Sequence, residues 1–238
     1  MKIIYKEHDF IDYNSYQFPY CVYCIKEDGD RYKDIYAQGF LPYSNDLEVG
    51  DEIYYLARSV RVDLLQHQWH FKQNNVFHKY SNVYEAEHIS IKLQDKNAFV
   101  NDECFREFCI SNAKNGFLSE KRLVYILSRP YLKNILSVSY KGEILAHILL
   151  VDKDSFFVHV WFSFYNLKIK ENDFGKWILL KAIEWSKQQG YSFFYIGTCY
   201  SKNAFYKLTL STNTEYFDGK GWNSDVSALK KRLIGKVK

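Results

Sequence analysis

The clearest pattern in the chain lies between residues 135 and 164. Three runs of mostly branched and aromatic residues, 135–140, 143–151 and 156–164, are separated by Lys141-Gly142 and by Lys153-Asp154-Ser155. Short β-type runs joined by turn residues predict an antiparallel meander. The period then changes from two to 3.6. Phe174, Trp177, Ile178, Ala182 and Trp185 form one stripe of a helix that Asn172 or Asp173 is placed to cap and Gly190 to end. A short apolar run, 192–196, follows as a buried strand. Ahead of the meander, Asn101 or Asp102 is the cap for a helix running to Asn115, with Gly116 just past its end. Ser119 opens a second helix, which stops before Pro130.

The pattern is looser up to about Tyr80. A helix over 31–38 ends at Gly39, the segment PYSNDLEVGDE reads as turn, and an extended run covers 52–65. In that run Tyr54, Leu56, Val60, Val62 and Leu64 share one parity with Arg58, while Arg61 and Asp63 fall on the other face. The chain divides on this reading into a smaller α+β region, 1–80, and a larger α+β region, 81–238.

Composition narrows the class. With 47% apolar and 25% charged residues, a packed core is expected rather than a disordered chain. No apolar run approaches the roughly 18 residues of a membrane span, and MKIIYKEHDF mixes charges too early for a signal peptide. A soluble, cytoplasmic protein is the expectation. Five scattered cysteines, an odd number, point to reduced thiols rather than a disulfide framework. The net charge of +4 says little alone, but SALKKRLIGKVK closes the sequence with Lys230, Lys231, Arg232, Lys236 and Lys238 and no acid. Such a tail either contacts phosphates or is simply solvated.

Three strands, a helix and a further strand follow the order of the acetyltransferase superfamily, a GNAT-like acyltransferase fold. Members that use coenzyme A need a short Gly-rich loop at the helix N-terminus, where backbone N–H groups and the helix dipole meet the pyrophosphate. Here that stretch has only Gly175, preceded by Glu171 and Asp173 and flanked by Phe174 and Trp177. The order of elements fits the fold, and the residues fit coenzyme A poorly.

A different branch of the fold fits better. Tyr195-Ile196-Gly197 ends the last strand, a short polar loop leads to Tyr206-Lys207, and Trp222 lies in a closing aromatic segment. This arrangement resembles the C-terminal domain of arginyl- and leucyl-tRNA–protein transferases, in which the single Gly near the start of the long helix matches Gly175. Toward the N-terminus, Cys21-Val22-Tyr23-Cys24, then Tyr36, Gly39 and Phe40, then Arg61-Val62-Asp63, are similar to the opening Cys motif, Gly-Phe turn and Arg-Val-Asp-like segment of the same family. The resemblance implies aminoacyl-tRNA as donor and a protein N-terminus as acceptor, with no membrane partner. It also implies a substrate pocket involving Tyr195, Gly197, Trp222, Arg61, Asp63, Cys21 and Cys24, with Tyr206 and Lys207 as catalytic groups. The sequence departs from the family at the second Cys cluster that its metal-binding members carry, where Tyr55-Leu56-Ala57-Arg58 stands instead. Two thiolates do not complete a four-ligand site, so no metal or other cofactor is expected beyond the charged tRNA.

An aminoacyl ester is already activated. An α-amine attacks its carbonyl, and the enzyme must align the two, accept a proton and stabilise an oxyanion. Tyr206 offers a hydroxyl, Lys207 an ammonium, and the end of the 192–196 strand a backbone N–H. Other roles stay open. Tyr206 reads equally as a core residue with Lys207 solvated, and Arg61 with Asp63 as a strand-face ion pair. His147 and His159 read as core or face residues before they read as bases. His67, His70 and His78 lack zinc spacing. Two further readings remain: an N-acetyltransferase using acetyl-CoA, and a non-catalytic peptide- or tRNA-binding module.

Overall fold

The meander forms as the pattern requires. In the computed structural model, β7 (Asn134–Tyr140), β8 (Glu143–Val151) and β9 (Phe157–Tyr165) pair antiparallel in sequence. Their alternate side chains are buried on both faces: Leu136, Ile148 and Val158 toward one layer, Ile135, Leu149 and Phe164 toward the other. Two-sided burial explains why these strands read as nearly continuous apolar runs. The structure describes residues 1–7, 20–44, 52–113, 118–152, 154–170 and 172–235. Residues 45–51 of the predicted turn, Asn115 and Gly116, Lys153, Glu171, and the tail lysines Lys236 and Lys238 lie outside them.

The remaining elements are, in chain order, β1 (Lys2–Glu7), β2 (Tyr20–Ile25), α1 (Tyr32–Ala37), β3 (Phe40–Pro42), β4 (Ile53–Leu56), β5 (Ser59–Asp63), α2 (Phe71–Ser81) and β6 (Ile89–Asp95). After these come α3 (Glu103–Ser111), α4 (Glu120–Ser128), α5 (Phe174–Gln188), β10 (Phe193–Thr198), β11 (Thr214–Phe217), β12 (Trp222–Asn223) and α6 (Val226–Gly235). An eight-stranded sheet runs β12-β11-β5-β10-β9-β8-β7-β6, and a four-stranded sheet runs β1-β2-β4-β3. Helix α5, with α2 and α6, covers one face of the large sheet around Trp177, Ile178 and Ile183. The small sheet covers part of the other face through Tyr36, Tyr54 and Tyr195, and α3 and α4 cover the rest. The meander, α5 and then β10 parallel to β9 give the order of elements expected of a GNAT-like α+β fold.

Several local expectations are refined. Asp102 and Ser119 accept backbone N–H bonds as the caps of α3 and α4. Helix α3 stops at Ser111, short of Asn115, because Asn112 turns back and donates its Nδ2 to the Phe108 carbonyl. Asp173 stands at the N-cap of α5 in the left-handed region, φ 72°, and makes no cap bond; its carboxylate takes the Lys176 ammonium instead at 2.6 Å. The extended run 52–65 is two strands. Its break at Ala57-Arg58 carries the chain from the small sheet to the large one, with the Ala57 N–H on the Gly39 carbonyl and the Arg58 N–H on the Tyr200 hydroxyl. Thus β5, from the first region, lies between β10 and β11 of the second. The tail is not extended: Leu229 and Leu233 of α6 are buried, leaving Lys231 and Arg232 exposed and Lys230 half-buried.

Candidate active site

Strands β9 and β10 pair in parallel over only three residues, Phe193 with Phe157, Phe194 with Val158 and Tyr195 with His159. Beyond that point they separate. Each carries a register shift there, β10 between Tyr195 and Gly197 against β5, and β9 opposite Leu149 and Leu150 of β8. Ile196 and Trp161 are the extra residues. A bulge adds twist and ends regular pairing, which is how a sheet opens locally. Gly197 holds φ at +84°, a conformation that costs any residue with a side chain. The resulting cleft, about 110 Å³, has β9 on one side, β10 on the other, and Leu41, Pro42 and Tyr55 of the small sheet as a wall.

Lys207 and His159 give the cleft its chemistry. Lys207, on a 3₁₀ helix (Lys202–Thr209), lies half-buried with its ammonium donating to the Thr198 carbonyl at 3.0 Å. Burial pulls its pKa down to about 8, with the nearby Cys199 thiol acting weakly the other way. His159 is buried, and its Nδ1 meets the hydroxyl of Tyr36 at 3.0 Å. Burial, then the Lys207 charge, pull its pKa to about 3, so the imidazole is neutral at working pH.

A second, larger cavity of about 630 Å³ lies at the start of α5, lined by Asn112, Tyr165, Asp173, Lys176 and Tyr206 among others. Gly175 is there for packing: a Cβ on it would collide with the Tyr165 ring. The first turn of α5 therefore receives an aromatic ring at the glycine where a coenzyme A phosphate would need to approach. Tyr206 and Lys207 thus open on different cavities, and the alternative of a buried Tyr206 with a solvated Lys207 is reversed, since Tyr206 is 38% exposed.

Comparison with known proteins adds the decisive finding. The family model described as the arginine-tRNA-protein transferase C terminus matches residues 72–209, more than half of the chain. The chain belongs to the arginine-tRNA-protein transferase family. The matched segment contains β9, α5, β10 and Lys207. No curated protein matches. Among solved structures, the C-terminal domain (DUF2156) of a protein described as a lysylphosphatidylglycerol synthetase from Agrobacterium fabrum is similar, at 14% identity and a TM-score of 0.44. That match covers 60% of this chain and 47% of the other. L-PGS from Bacillus licheniformis is similar at 16% identity and a TM-score of 0.44, with 75% and 65% covered. The transferase therefore spans about half of the first of these chains and just under two thirds of the second.

The other predicted site residues of the transferase separate into groups. Tyr195 is buried below the cleft floor, its ring edge-on to Tyr36, Phe157 and Trp222. Arg61 lies between the Phe193 and Trp222 rings, 4.0 and 3.9 Å from their centroids, and donates to Glu215 at 2.8 Å and to the Tyr195 hydroxyl at 3.3 Å. Trp222 donates its indole N–H to the Ala37 carbonyl. These contacts join the two sheets beside the cleft. Asp63 is not the partner of Arg61: its Oδ1 accepts the backbone N–H groups of Leu65 and Gln66 at the strand end.

Cys21 and Cys24 are three apart on β2, so they project to opposite faces, and both are buried. Burial pushes both thiols up, Cys24 to about 11, which keeps them protonated. Projecting to opposite faces, the two thiols do not converge on one ion, and no group of three metal-ligating side chains occurs among the described residues. His147 is a core residue, bonded to Ser137 and enclosed by Phe99, Phe105 and Phe108. His159 is the residue that sequence reasoning undervalued. Its signal was a polar ring in an otherwise apolar strand, and His147 shows the same signal without a cleft.

Proposed function

We propose that the transferase moves an amino acid, arginine or leucine first among candidates, from charged tRNA to the N-terminal amine of an acceptor protein, in the cytoplasm and as part of an N-degron pathway. The observation that carries this reading is the cleft between β9 and β10, where the one ammonium lining the walls among the described residues, Lys207, is held over Gly197 and Thr198. An ester carbonyl placed there develops negative charge against that ammonium in a site shielded from water, where electrostatic stabilisation is strong. The same charge keeps a neighbouring α-amine unprotonated, and only that form is a nucleophile. No covalent intermediate is required, because the ester is already activated.

On this reading the terminal adenosine of the tRNA occupies the larger cavity, where Tyr165 and Tyr206 supply aromatic surface for stacking. Lys230, Lys231 and Arg232 of α6 contact backbone phosphates. Tyr195, Arg61 and Trp222 position the cleft wall, and Cys21 and Cys24 support the small sheet behind it. Charged tRNA is the co-substrate, and no further cofactor is invoked. Among the described residues no helix is long and apolar enough to cross a membrane, and the acceptor is taken to be a protein.

The test is transfer of labelled amino acid from charged tRNA to peptides differing in their first residue, with labelled acetyl-CoA in parallel. RNase-sensitive labelling of the peptide N-terminus is the expected result. Label arriving only from acetyl-CoA would overturn the reading.

A further inference from the structure

The aminoacyl ester needs more than one donor if its oxygen is to be held in a fixed place, and the cleft contains a second polar group whose orientation the fold dictates. We propose that His159 presents its Nε2–H to the cleft as a fixed hydrogen-bond donor for the ester carbonyl oxygen, acting beside the Lys207 ammonium on the oxyanion that forms. This role rests on the reading of the cleft as the aminoacyl-transfer site.

The orientation of the ring is set by Tyr36. Its side chain is fully buried under α1, among Phe157, Tyr195 and Tyr54, and its hydroxyl has a single hydrogen-bond partner among the described residues, the Nδ1 of His159 at 3.0 Å. A buried O–H must donate somewhere, because leaving its proton unpaired in an apolar core is costly. Nδ1 is the acceptor available. An imidazole that accepts at Nδ1 carries its proton on Nε2. That nitrogen is the remaining polar atom of a residue that lines the cleft. Tyr36 thus fixes the tautomer, and the ring is held further by edge contacts with Tyr36 and Tyr195. Burial beside Lys207 keeps the imidazole neutral, so it gives a hydrogen bond without adding a second positive charge.

The step balances without any other reactant. The amine lone pair forms the new C–N bond while the carbonyl π pair moves onto oxygen, where His159 Nε2–H and the Lys207 ammonium receive it. As the pair returns, the C–O bond to the ribose breaks. The proton lost by the amine ends on the ribose oxygen, leaving a hydroxyl on the tRNA and an amide on the acceptor.

Two measurements test the role. In the unaltered protein, ¹⁵N NMR of the imidazoles is expected to show His159 as the Nε2–H tautomer, and Tyr36→Phe is expected to release that preference. In transfer assays, His159→Leu is expected to lower kcat by about 10²–10³-fold, the usual loss for an oxyanion donor, with KM for charged tRNA little changed. His159→Gln, whose amide places an N–H near the Nε2 position, is expected to recover part of the loss. A purely structural residue would not distinguish Leu from Gln in this way at equal thermal stability. An Nδ1–H tautomer, or kcat within twofold of the unaltered protein in His159→Leu, would overturn the donor role while transfer itself persisted. Absence of transfer by the unaltered protein would instead overturn the reading of the site.

Discussion

The two ends of β10 are built from the same strand and serve opposite ends. Over Phe193–Tyr195 it is held on both sides, by β5 and by β9, and Phe194 and Tyr195 are buried. Past the bulge at Ile196 only β5 remains paired, at Gly197 and Thr198, and the space given up by β9 is the cleft. One bulge on each strand separates a structural half from a chemical half. The fold therefore keeps its packing energy within a few residues of the candidate reacting groups without the two competing for the same side chains.

Substitutions at the two ends should therefore fail in different ways. At the paired end, Phe194→Ala is expected to cost about 3–5 kcal/mol of stability, read from urea unfolding, while kcat of the remaining folded protein changes little. At the open end, Lys207→Met is expected to lower kcat by about 10²–10³-fold without loss of stability. Its desolvated ammonium has a pKa of about 8, below its unfolded value, so the folded protein gains stability as pH rises from about 8 toward 10.5 and bears a cost below that range. For the same reason, transfer by the unaltered protein should decline as pH rises through about 8, and Lys207→Arg should lose that alkaline limb. Gly197→Ala sits on the boundary. Its positive φ should cost about 1–3 kcal/mol, and the new Cβ, 3.4 Å from the Lys207 ammonium, should reduce kcat as well.

The histidines sharpen the contrast through pH. Burial holds His67 and His147 at about 4 and His159 at about 3, all below the ordinary value near 6.5. The folded state binds fewer protons than the unfolded one in that window. Stability is thus full above about 6.5 and is lost as pH falls toward 4, by about 1.4 kcal/mol per pH unit for each ring. Denaturant midpoints measured across that range check the slope. The smallest expected effect is Lys231→Ala, which should leave kcat unchanged and flatten the salt dependence of tRNA binding by about one unit of slope.

The meander, α5 and the Asp102 and Ser119 caps were legible in the sequence because their signals are local: a period, a turn dipeptide, a cap. The region 81–100 gave no period, since the side chains of β6 are exposed or half-buried along its whole length. Helix α2 was obscured by its polar Gln73 and Asn75. For the site, Gly197, Lys207 and Tyr195 could be singled out by their order in a family pattern, but not the split between Tyr206 and Lys207, which depends on how a 3₁₀ helix turns. Glu215 as the partner of Arg61 comes from β11, 154 residues along the chain. The role of His159 depends on Tyr36, 123 residues away. Pairings of that kind arise only once the two sheets are in contact.

The place of β5 has a consequence for how the molecule is made. During synthesis this strand emerges well before both of its neighbours, because β10 and β11 come more than 120 residues later. Loop closure over such a span must precede any reward from pairing, so the growing chain carries a strand with two vacant edges until β10 and β11 have been made. Chains stalled between those points are the population most exposed to aggregation. Folding yield in the cell should then depend on how quickly translation carries the nascent chain from β5 to β11.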